Sequence, residues 1–397
     1  MSTLHYDYLI VGGGMAAASA VRGIRERDPE GSIGILGDEA DPPAVRPALS
    51  QQLWCDPSFS MQQIWMHPER LGAQVHLQHH ATQLDRTLHR ISCHYGATFH
   101  YHRLLIATGV SPTWQQIAAS DRVLYFRTVA DYRTLRAWTH TNALVHVAVV
   151  GGGWLGLQLA AALSQQDTLQ VQLITDHSTL GAQYLPPALA HWLQDTFTQQ
   201  GVSVRAGQHV LQKNETDGGI VITLENGSDV VADTLVMCTE IAPRTLLALQ
   251  SGLEVADGIV VNEYLQTADP TIFAAGDVAN YPDARLGRQR IELAGNAYKM
   301  GACAGRNMAG AHDAYTHTPY FSLQLFTLAL TGVGRFSADC QMLCHWQNAP
   351  TGSELPVGTV YYIAADKTIC GVLLVNSSDA EHGLALARSA IGTRCSA

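Results

Sequence analysis

Two short glycine-rich segments carry the clearest chemical signal in this sequence: Gly12-Gly13-Gly14-Met15-Ala16-Ala17 and Gly151-Gly152-Gly153-Trp154-Leu155-Gly156. A glycine turn that opens a helix aims successive backbone N–H groups at one point, and the helix dipole adds partial positive charge there, so such a segment binds phosphate. In the first loop Gly12 permits the tight turn, Gly14 lets the backbone approach a pyrophosphate, and Ala17 stands where a third glycine would let the helix pack close to its strand. In the second loop all three glycines, Gly151, Gly153 and Gly156, are present. Each loop is followed by an acid at the distance where a carboxylate accepts hydrogen bonds from adenosine ribose hydroxyls: Asp38, with Glu39 beside it, and Asp176. Asp176 would repel a ribose 2′-phosphate and no Arg adjoins it, which favours NAD over NADP, although a protonated His177 would soften that preference. One such loop also occurs where no nucleotide binds. Two, each with its acid, point to two dinucleotide sites.

The elements that must carry these loops are legible around them. Residues 6–11 (YDYLIV) form an apolar run bounded by glycine, an Ala-rich helical stretch follows to about residue 28, and residues 32–36 read as the next strand. That is a βαβ unit. The same order returns at residues 145–150 (VHVAVV), a helical run to residue 166, and a strand at 171–174. Residues 75–105 between the units are β-rich. After residue 320 the segments 358–363, 369–375 and 380–391 read as strand, strand and helix. The fold class expected is therefore α/β, with two Rossmann-type dinucleotide-binding domains and a small α+β C-terminal domain.

At 397 residues and 47% hydrophobic, the chain can fill two or three packed cores. With 34 acidic against 24 basic residues its net charge of -10 argues against a nucleic-acid partner. Neither a leader-like segment in residues 1–8 nor an apolar run of membrane-spanning length is present, and we expect a soluble, cytoplasmic protein with no membrane partner. The eight cysteines lie in a chain too large to need staples, so reduced thiols are expected. Cys340 and Cys344 are the nearest couple, at a spacing that a helix would bring together. Among the 18 histidines, His76, His79, His80, His100 and His102 cluster, and strand alternation would put His100 and His102 on one face. No cysteine or carboxylate completes a ligand set, so they read as surface or core histidines and no metal site is expected. Trp65, Trp114, Trp138 and Trp346 read as core or interface aromatics. Arg285, Arg288 and Arg290 read as a solvated loop, with a docking patch for an acidic electron carrier as the alternative.

Further motifs make the chain resemble the two-dinucleotide family that holds NADH-dependent ferredoxin and rubredoxin reductases, nitrite-reductase flavoprotein domains and apoptosis-inducing factor. Leu104-Leu105-Ile106-Ala107-Thr108-Gly109 is similar to the family's ATG segment, and Phe273-Ala274-Ala275-Gly276-Asp277 to its second FAD motif. Arg46-Pro47-Ala48-Leu49-Ser50, Phe126-Arg127-Thr128 and Arg290-Ile291-Glu292 extend the likeness. The resemblance implies FAD held by Gly12, Gly14, Ala17, Asp38, Arg46, Ala107, Thr108, Gly109, Arg127, Gly276, Asp277 and Glu292. It implies NAD(H) held by Gly151, Gly153, Gly156 and Asp176. The implied domains are 1–115 with 241–320 for FAD, 116–240 for NAD, and 321–397 as a C-terminal interface domain.

The chain departs from this family where nicotinamide and flavin meet. A Lys follows the Ser of the family's RPPLSK segment, but here Gln51 follows Ser50; the family's Glu two residues beyond the last loop glycine is Gln158. The changes are complementary: losing one charge alone would strand its partner at a cost of several kcal/mol, whereas two glutamines keep a neutral hydrogen bond. Removing a cation near flavin N5 should lower the flavin potential and slow hydride entry. Ser322 replaces a Trp of the apoptosis-inducing-factor branch, and Leu293 and Ala294 replace its His pair. No Cys lies in residues 42–50, where single-cysteine relatives carry theirs, and Cys55 reads as a packed thiol rather than a catalytic one. The resemblance implies an FAD-dependent oxidoreductase that takes hydride from NADH and passes electrons to a small electron-carrier protein or a quinone-like small-molecule acceptor, with Gln51 and Gln158 at the site of reaction. A homodimer is left open. Two alternatives stand beside it: an apoptosis-inducing-factor-like regulatory flavoprotein with weak reductase activity, and a flavin oxidase or dehydrogenase of an organic substrate.

Overall fold

The structure, a computed structural model, describes residues 4–113, 117–140, 143, 145–352 and 354–395; Trp114 lies outside them. Contacts divide the chain into two units: the described residues of Met1–Val45, Met61–Ser111 and Ile241–Tyr320, and those of Arg46–Ser60, Pro112–Glu240 and Phe321–Ala397.

In the first unit, Leu4–Val11 runs between Ile33–Leu36 and Thr98–Ile106 in a seven-stranded sheet, with Ala73–His76 beyond Ile33–Leu36 and Ile272–Ala274 also on Thr98–Ile106. These pairings are parallel, and Leu9, Ile10, Leu104, Leu105 and Ile106 are fully buried, as expected for strands covered on both faces. Ala81–Asp85 and Arg90–Cys93 join Thr98–Ile106 as an antiparallel meander, which resolves the β-rich stretch of the sequence. The parallel register puts Val11 level with Leu36 on one side and Ile106 on the other, so the first glycine loop leaves the sheet beside Ala107. Helix Met15–Arg25 follows at once and stops short of residue 28. Asp28 precedes Pro29, whose ring disfavours helical backbone in the residue before it. The helix packs on Ala294–Met308 through small residues: a Cβ at Gly301 or Gly305 would lie 2.2 or 2.1 Å from the carbonyl of Ala16 or Ala20.

The second unit repeats the plan. Val145–Val150 runs between Leu169–Ile174 and Thr234–Met237 in a five-stranded sheet completed by Ser203–Arg205 and Val123–Tyr125, and every pairing in it is parallel. Val150 is level with Ile174 and Met237, so the second loop emerges beside Cys238. Val210–Thr216, Gly219–Leu224 and Asp229–Ala232 form a small antiparallel sheet that the hydrophobic pattern did not announce. Beyond residue 320 the chain forms a five-stranded antiparallel sheet in the order Tyr320–Leu325, Leu328–Gly334, Ile369–Val375, Val357–Ile363, Gln341–Asn348, followed by helix Ala380–Ala390. Mixed α/β architecture with two Rossmann-type units and a C-terminal α+β region is thus what the chain adopts.

Two expectations are corrected. Cys340 and Cys344 are not brought together by a helix, because Gln341–Asn348 is a strand paired along Val357–Ile363. Nor is the arginine run wholly a solvated loop: Ala279–Asp283 and Gly287–Gln289 form a hairpin with Arg285 exposed in its turn, Arg288 is exposed while its Nη1 donates to the carbonyls of Val261 and Asn280, and the Arg290 side chain is only 12% exposed. Its burial and its ion pairs with Asp257 and Glu292 set Arg290 apart from the two exposed arginines. Trp65, Trp138 and Trp346 are half-buried. The histidines serve local structure: Tyr6 and His76 share a hydrogen bond of 2.7 Å, His100 stacks on His5 at 4.7 Å, and His102 lies 3.2 Å from Asp7. No described helix is long and apolar enough to cross a membrane.

Candidate dinucleotide-binding sites

Both loops are built by the same contacts. Gly12 N donates to the Leu36 carbonyl at 2.8 Å and Ala107 N to the Val11 carbonyl at 2.7 Å; Gly151 N donates to Ile174 at 2.9 Å and Cys238 N to Val150 at 2.7 Å. Each loop is thereby wedged between its two neighbouring strands, at the point where the order of parallel strands reverses and where open α/β sheets take ligands. The wedge demands glycine. Gly12 has φ +120° and Gly151 φ +129°, and a Cβ would lie 2.1 Å from the Ala107 oxygen or 2.2 Å from the Cys238 oxygen.

Space on the helix side is open instead. A Cβ at Gly14 would meet nothing within 4 Å, and one at Gly153 only the Tyr184 hydroxyl at 3.9 Å. Helices Met15–Arg25 and Trp154–Leu163 have no side-chain cap on their N-terminal N–H groups and no acid in the first turn. Each therefore presents unshielded donors to an open cradle, which fits the pyrophosphate of a dinucleotide. Ala17 is fully buried, at the packing position expected of a third glycine. Gly156 would place a Cβ 2.0 Å from the Gly151 carbonyl, so the second loop closes on its own helix.

Around the first cradle the structure gathers Asp38, Thr108 and Gly109 through a residue that sequence reasoning missed. Arg244 Nη2 donates to Asp38 Oδ2 at 2.6 Å, Arg244 N donates to the Gly109 carbonyl at 2.9 Å, and Thr108 Oγ1 donates to the Arg244 carbonyl at 2.8 Å. Burial alone would raise the Asp38 pKa, but the bond and charge of Arg244 outweigh it and hold the carboxyl below its ordinary range. No local signal marks Arg244, which is 206 residues from Asp38. In the same unit Gly276 N donates to Met300 Sδ at 3.2 Å, and a Cβ at Gly276 would lie 3.0 Å from that of Ala16, so the second glycine motif reaches the first helix. Arg290 ties down the residues beside it, donating to the Asp277 carbonyl at 3.2 Å and to Glu292 Oε1 at 2.5 Å. Arg46 and Arg127 belong to the other unit, in the 3-10 turn Arg46–Leu49 and just ahead of helix Val129–Thr139.

Gln51 and Gln158 also fall in that unit and meet side chain to side chain. Gln158 Nε2 donates to Gln51 Oε1 at 3.3 Å, and Gln51 Nε2 donates to the Gln324 carbonyl at 2.9 Å. Gln158 projects from the helix that the second loop opens, and Gln51 precedes the one-turn helix Gln52–Cys55. Asp176 Oδ1 lies 3.8 Å from His177 Nε2, and the Asp176 side chain is 49% exposed. Sequence reasoning missed what covers this loop. Trp154 stacks on Tyr184 with centroids 4.6 Å apart and packs on Phe321 at 5.4 Å, while Gln183 Nε2 donates to the Gly152 carbonyl at 2.8 Å. The tryptophan inside the glycine motif was the available signal. Cys55, read as a packed thiol, is exposed: in so short a helix Trp54 takes the buried face, its indole donating to the Leu49 carbonyl.

Two Rossmann units, each with a glycine wedge and an open helix N-terminus, define a protein that binds two dinucleotides. Residues 6–301 match the pyridine nucleotide-disulphide oxidoreductase family, and the chain belongs to it. It is 32% identical over 339 residues to the ferredoxin–NAD(+) reductase component of the anthranilate 1,2-dioxygenase system of Burkholderia cepacia, covering 83% of this chain and 82% of that one. It is 29% identical over 402 residues to apoptosis-inducing factor 1, mitochondrial, of Dictyostelium discoideum, covering 93% and 75%. A chain in the crystal structure of the covalent putidaredoxin reductase–putidaredoxin complex superposes with a TM-score of 0.87 at 22% identity over 97% of this chain and 93% of that one, a likeness of fold. With the family come oxidoreductase chemistry and the cofactors FAD and NAD(H).

Proposed function

We propose that this protein is an NADH-dependent flavoprotein reductase that hands electrons to a small redox protein. The observation that carries this is the doubled wedge, Gly12 against Ala107 and Gly151 against Cys238, which provides two equivalent pyrophosphate cradles in one chain. FAD, when bound, supplies the chemistry, accepting hydride from the nicotinamide and releasing electrons singly. The chain's residues position and tune. Gly12, Gly14 and the first helix N-terminus take the FAD pyrophosphate; Asp38, oriented by Arg244, offers its other carboxylate oxygen to the ribose. Ala107, Thr108, Gly109, Gly276, Asp277 and Glu292 complete that site by resemblance. Gly151, Gly153 and Gly156 take the NADH pyrophosphate, and exposed Asp176 accepts from its adenosine ribose.

In this reading residues 1–115 and 241–320 form the FAD domain, 116–240 the NAD domain and 321–397 an interface domain. The Gln51–Gln158 pair holds the reacting region in place without charge. That neutrality also favours a second reading, a regulatory flavoprotein of low turnover, since a cation that would favour hydride transfer is absent. The eight cysteines are scattered through a chain too large to need disulfide staples, which supports a reducing compartment such as the cytoplasm. Relatives named as ferredoxin–NAD(+) reductases support a small electron carrier as the partner. Anaerobic stopped-flow mixing with NADH tests the reading: bleaching of bound FAD followed by reoxidation with a small ferredoxin is expected. No bleaching within minutes at saturating NADH would refute it.

A further inference from the structure

In place of the couple that sequence spacing suggested, Cys340 Sγ lies 3.4 Å from Cys370 Sγ, a residue 30 positions away. The sheet explains why they meet. The ladder between Val357–Ile363 and Ile369–Val375 shifts between the pairs Tyr362–Gly371 and Ile363–Ile369, which leaves Cys370 as the extra residue of a bulge. A bulge re-aims the side chain it carries. Arg335 N donates to the Cys370 carbonyl at 2.7 Å, and the turn that follows closes with Cys340 N donating to Ser337 at 3.1 Å, which returns Cys340 to the bulge. Cys370 is 2% exposed and sits in the central strand of its sheet, and burial raises its thiol pKa to about 11. Cys340 is half-buried on a turn.

Both thiols are wired to the second glycine loop. Ala338 N, in the turn that carries Cys340, donates to the Gln183 carbonyl at 3.1 Å, and Gln183 Nε2 holds the Gly152 carbonyl. From the strand beside Cys370, Tyr362 OH donates to the Tyr184 carbonyl at 2.5 Å, and Tyr184 stacks on Trp154. Two routes from the cysteine pair thus end on neighbouring residues, 183 and 184, that contact the loop.

We propose that Cys340 and Cys370 form an oxidisable dithiol whose conversion to a disulfide resets the Gln183–Tyr184 segment and weakens nucleotide binding at the second loop. A disulfide bond is about 2.05 Å long, so the sulfurs must close by more than 1 Å. Cys370 is pinned in the central strand; the turn moves, drawing Ala338 away from Gln183. A peroxide is the oxidant. The Cys340 sulfur attacks one peroxide oxygen, the O–O bond breaks, and a sulfenic acid and water form. Cys370 sulfur then attacks the sulfenic sulfur, the S–O bond breaks, and a second water leaves with the thiol proton. Two thiols lose two electrons and one hydrogen peroxide becomes two waters. The coupling to nucleotide rests on the second loop being the NADH site; the dithiol itself does not.

The FAD-loaded full chain, reduced with dithiothreitol and then treated with hydrogen peroxide, is the material to test. Mass spectrometry should find a mass lower by two hydrogens and a peptide cross-link between residues 340 and 370. NADH titration should find binding about fivefold weaker or more, restored by dithiothreitol and unaffected by peroxide in Cys340→Ser. A peroxide-treated chain without the cross-link overturns the dithiol. A cross-linked chain whose NADH affinity stays within about twofold of the reduced form overturns the coupling. If the reduced protein binds no NADH, the proposed function fails and takes the coupling with it, while the mass measurement still decides the dithiol. Cys340→Ala, reporting the same peroxide insensitivity, guards against a folding artefact of the serine.

Discussion

Replacing Gly151 with alanine, beside Gly12 with alanine, separates the two sites. At position 151 the new Cβ would lie 2.2 Å from the Cys238 oxygen, whereas ordinary contact begins at 3.4 Å, so loop or carbonyl must give by more than 1 Å. Holding a side chain at φ +129° adds strain of about 1–3 kcal/mol. Neither neighbour yields easily, because Gly151 N and Cys238 N are both bonded into the strands. Donors that recognise phosphate must hold position to within about 0.5 Å, so the shift forfeits charge-assisted hydrogen bonds of about 1.5–3 kcal/mol each. The strain weighs on the fold rather than on binding; losing two such bonds costs about 3–6 kcal/mol of binding, and NADH affinity should fall at least about 100-fold. Gly151→Ala should nonetheless purify with full FAD, measured by absorbance per chain, and bleach normally with dithionite. Gly12→Ala, with its Cβ 2.1 Å from the Ala107 oxygen, should purify without FAD. An alanine at 151 that leaves the NADH half-saturation unchanged, or an alanine at 12 that retains stoichiometric FAD, would refute the assignment of the two cradles.

Restoring charge at the glutamine pair should be cooperative. At 3.3 Å, opposite unit charges interact by about 5 kcal/mol at an effective dielectric of about 20, of which desolvation leaves a coupling of about 1–3 kcal/mol. Gln51→Lys should speed NADH bleaching, Gln158→Glu alone should slow it, the double variant should exceed the sum of the two single effects, and additive effects across the four proteins would count against a direct pair. For Asp38 the sign follows from its depressed folded pKa: its ion pair with Arg244 stabilises fully above the unfolded carboxylate pKa of about 4 and is lost as pH falls through the folded value. Asp38→Asn should therefore melt below wild type by a constant margin at neutral pH, with the gap closing below about pH 4; a gap that widens in acid would contradict the pairing. Asp176→Ala should narrow the preference for NADH over NADPH by about tenfold in kcat/KM, and an unchanged ratio would remove Asp176 from ribose recognition.

What the sequence announced and what it hid divide along the range of the interactions. The strands at 6–11 and 145–150, their loops and helices are local patterns, and the structure places them at Leu4–Val11 and Val145–Val150 with little change. The meander within 210–232 escaped notice because Val210–Thr216 is largely exposed and offers no apolar run. At the sites, glycines could be read because each answers a local backbone demand. Arg244 could not, since nothing near it in sequence shows that its strand exit will land on Asp38. Cys340 and Cys370 were hidden for the same reason, compounded by a bulge that no residue type marks.

The glutamine pair shows how a local reading and a distant contact combine. Gln51 uses its oxygen on Gln158 and its nitrogen on the Gln324 carbonyl, so its amide is satisfied at both ends and anchors residues 51 and 158 to the strand Tyr320–Leu325. A lysine at 51 could donate to both acceptors, but only while position 158 offers an oxygen. Glutamine at 158 meets that demand by turning its amide, and glutamate meets it with charge. The backbone that brings 51 and 158 together is thus indifferent to whether the pair is neutral or ionic. What changes between the two is the electrostatic field at the head of the second helix, and a shift in rate without a shift in structure is the form in which that change should appear.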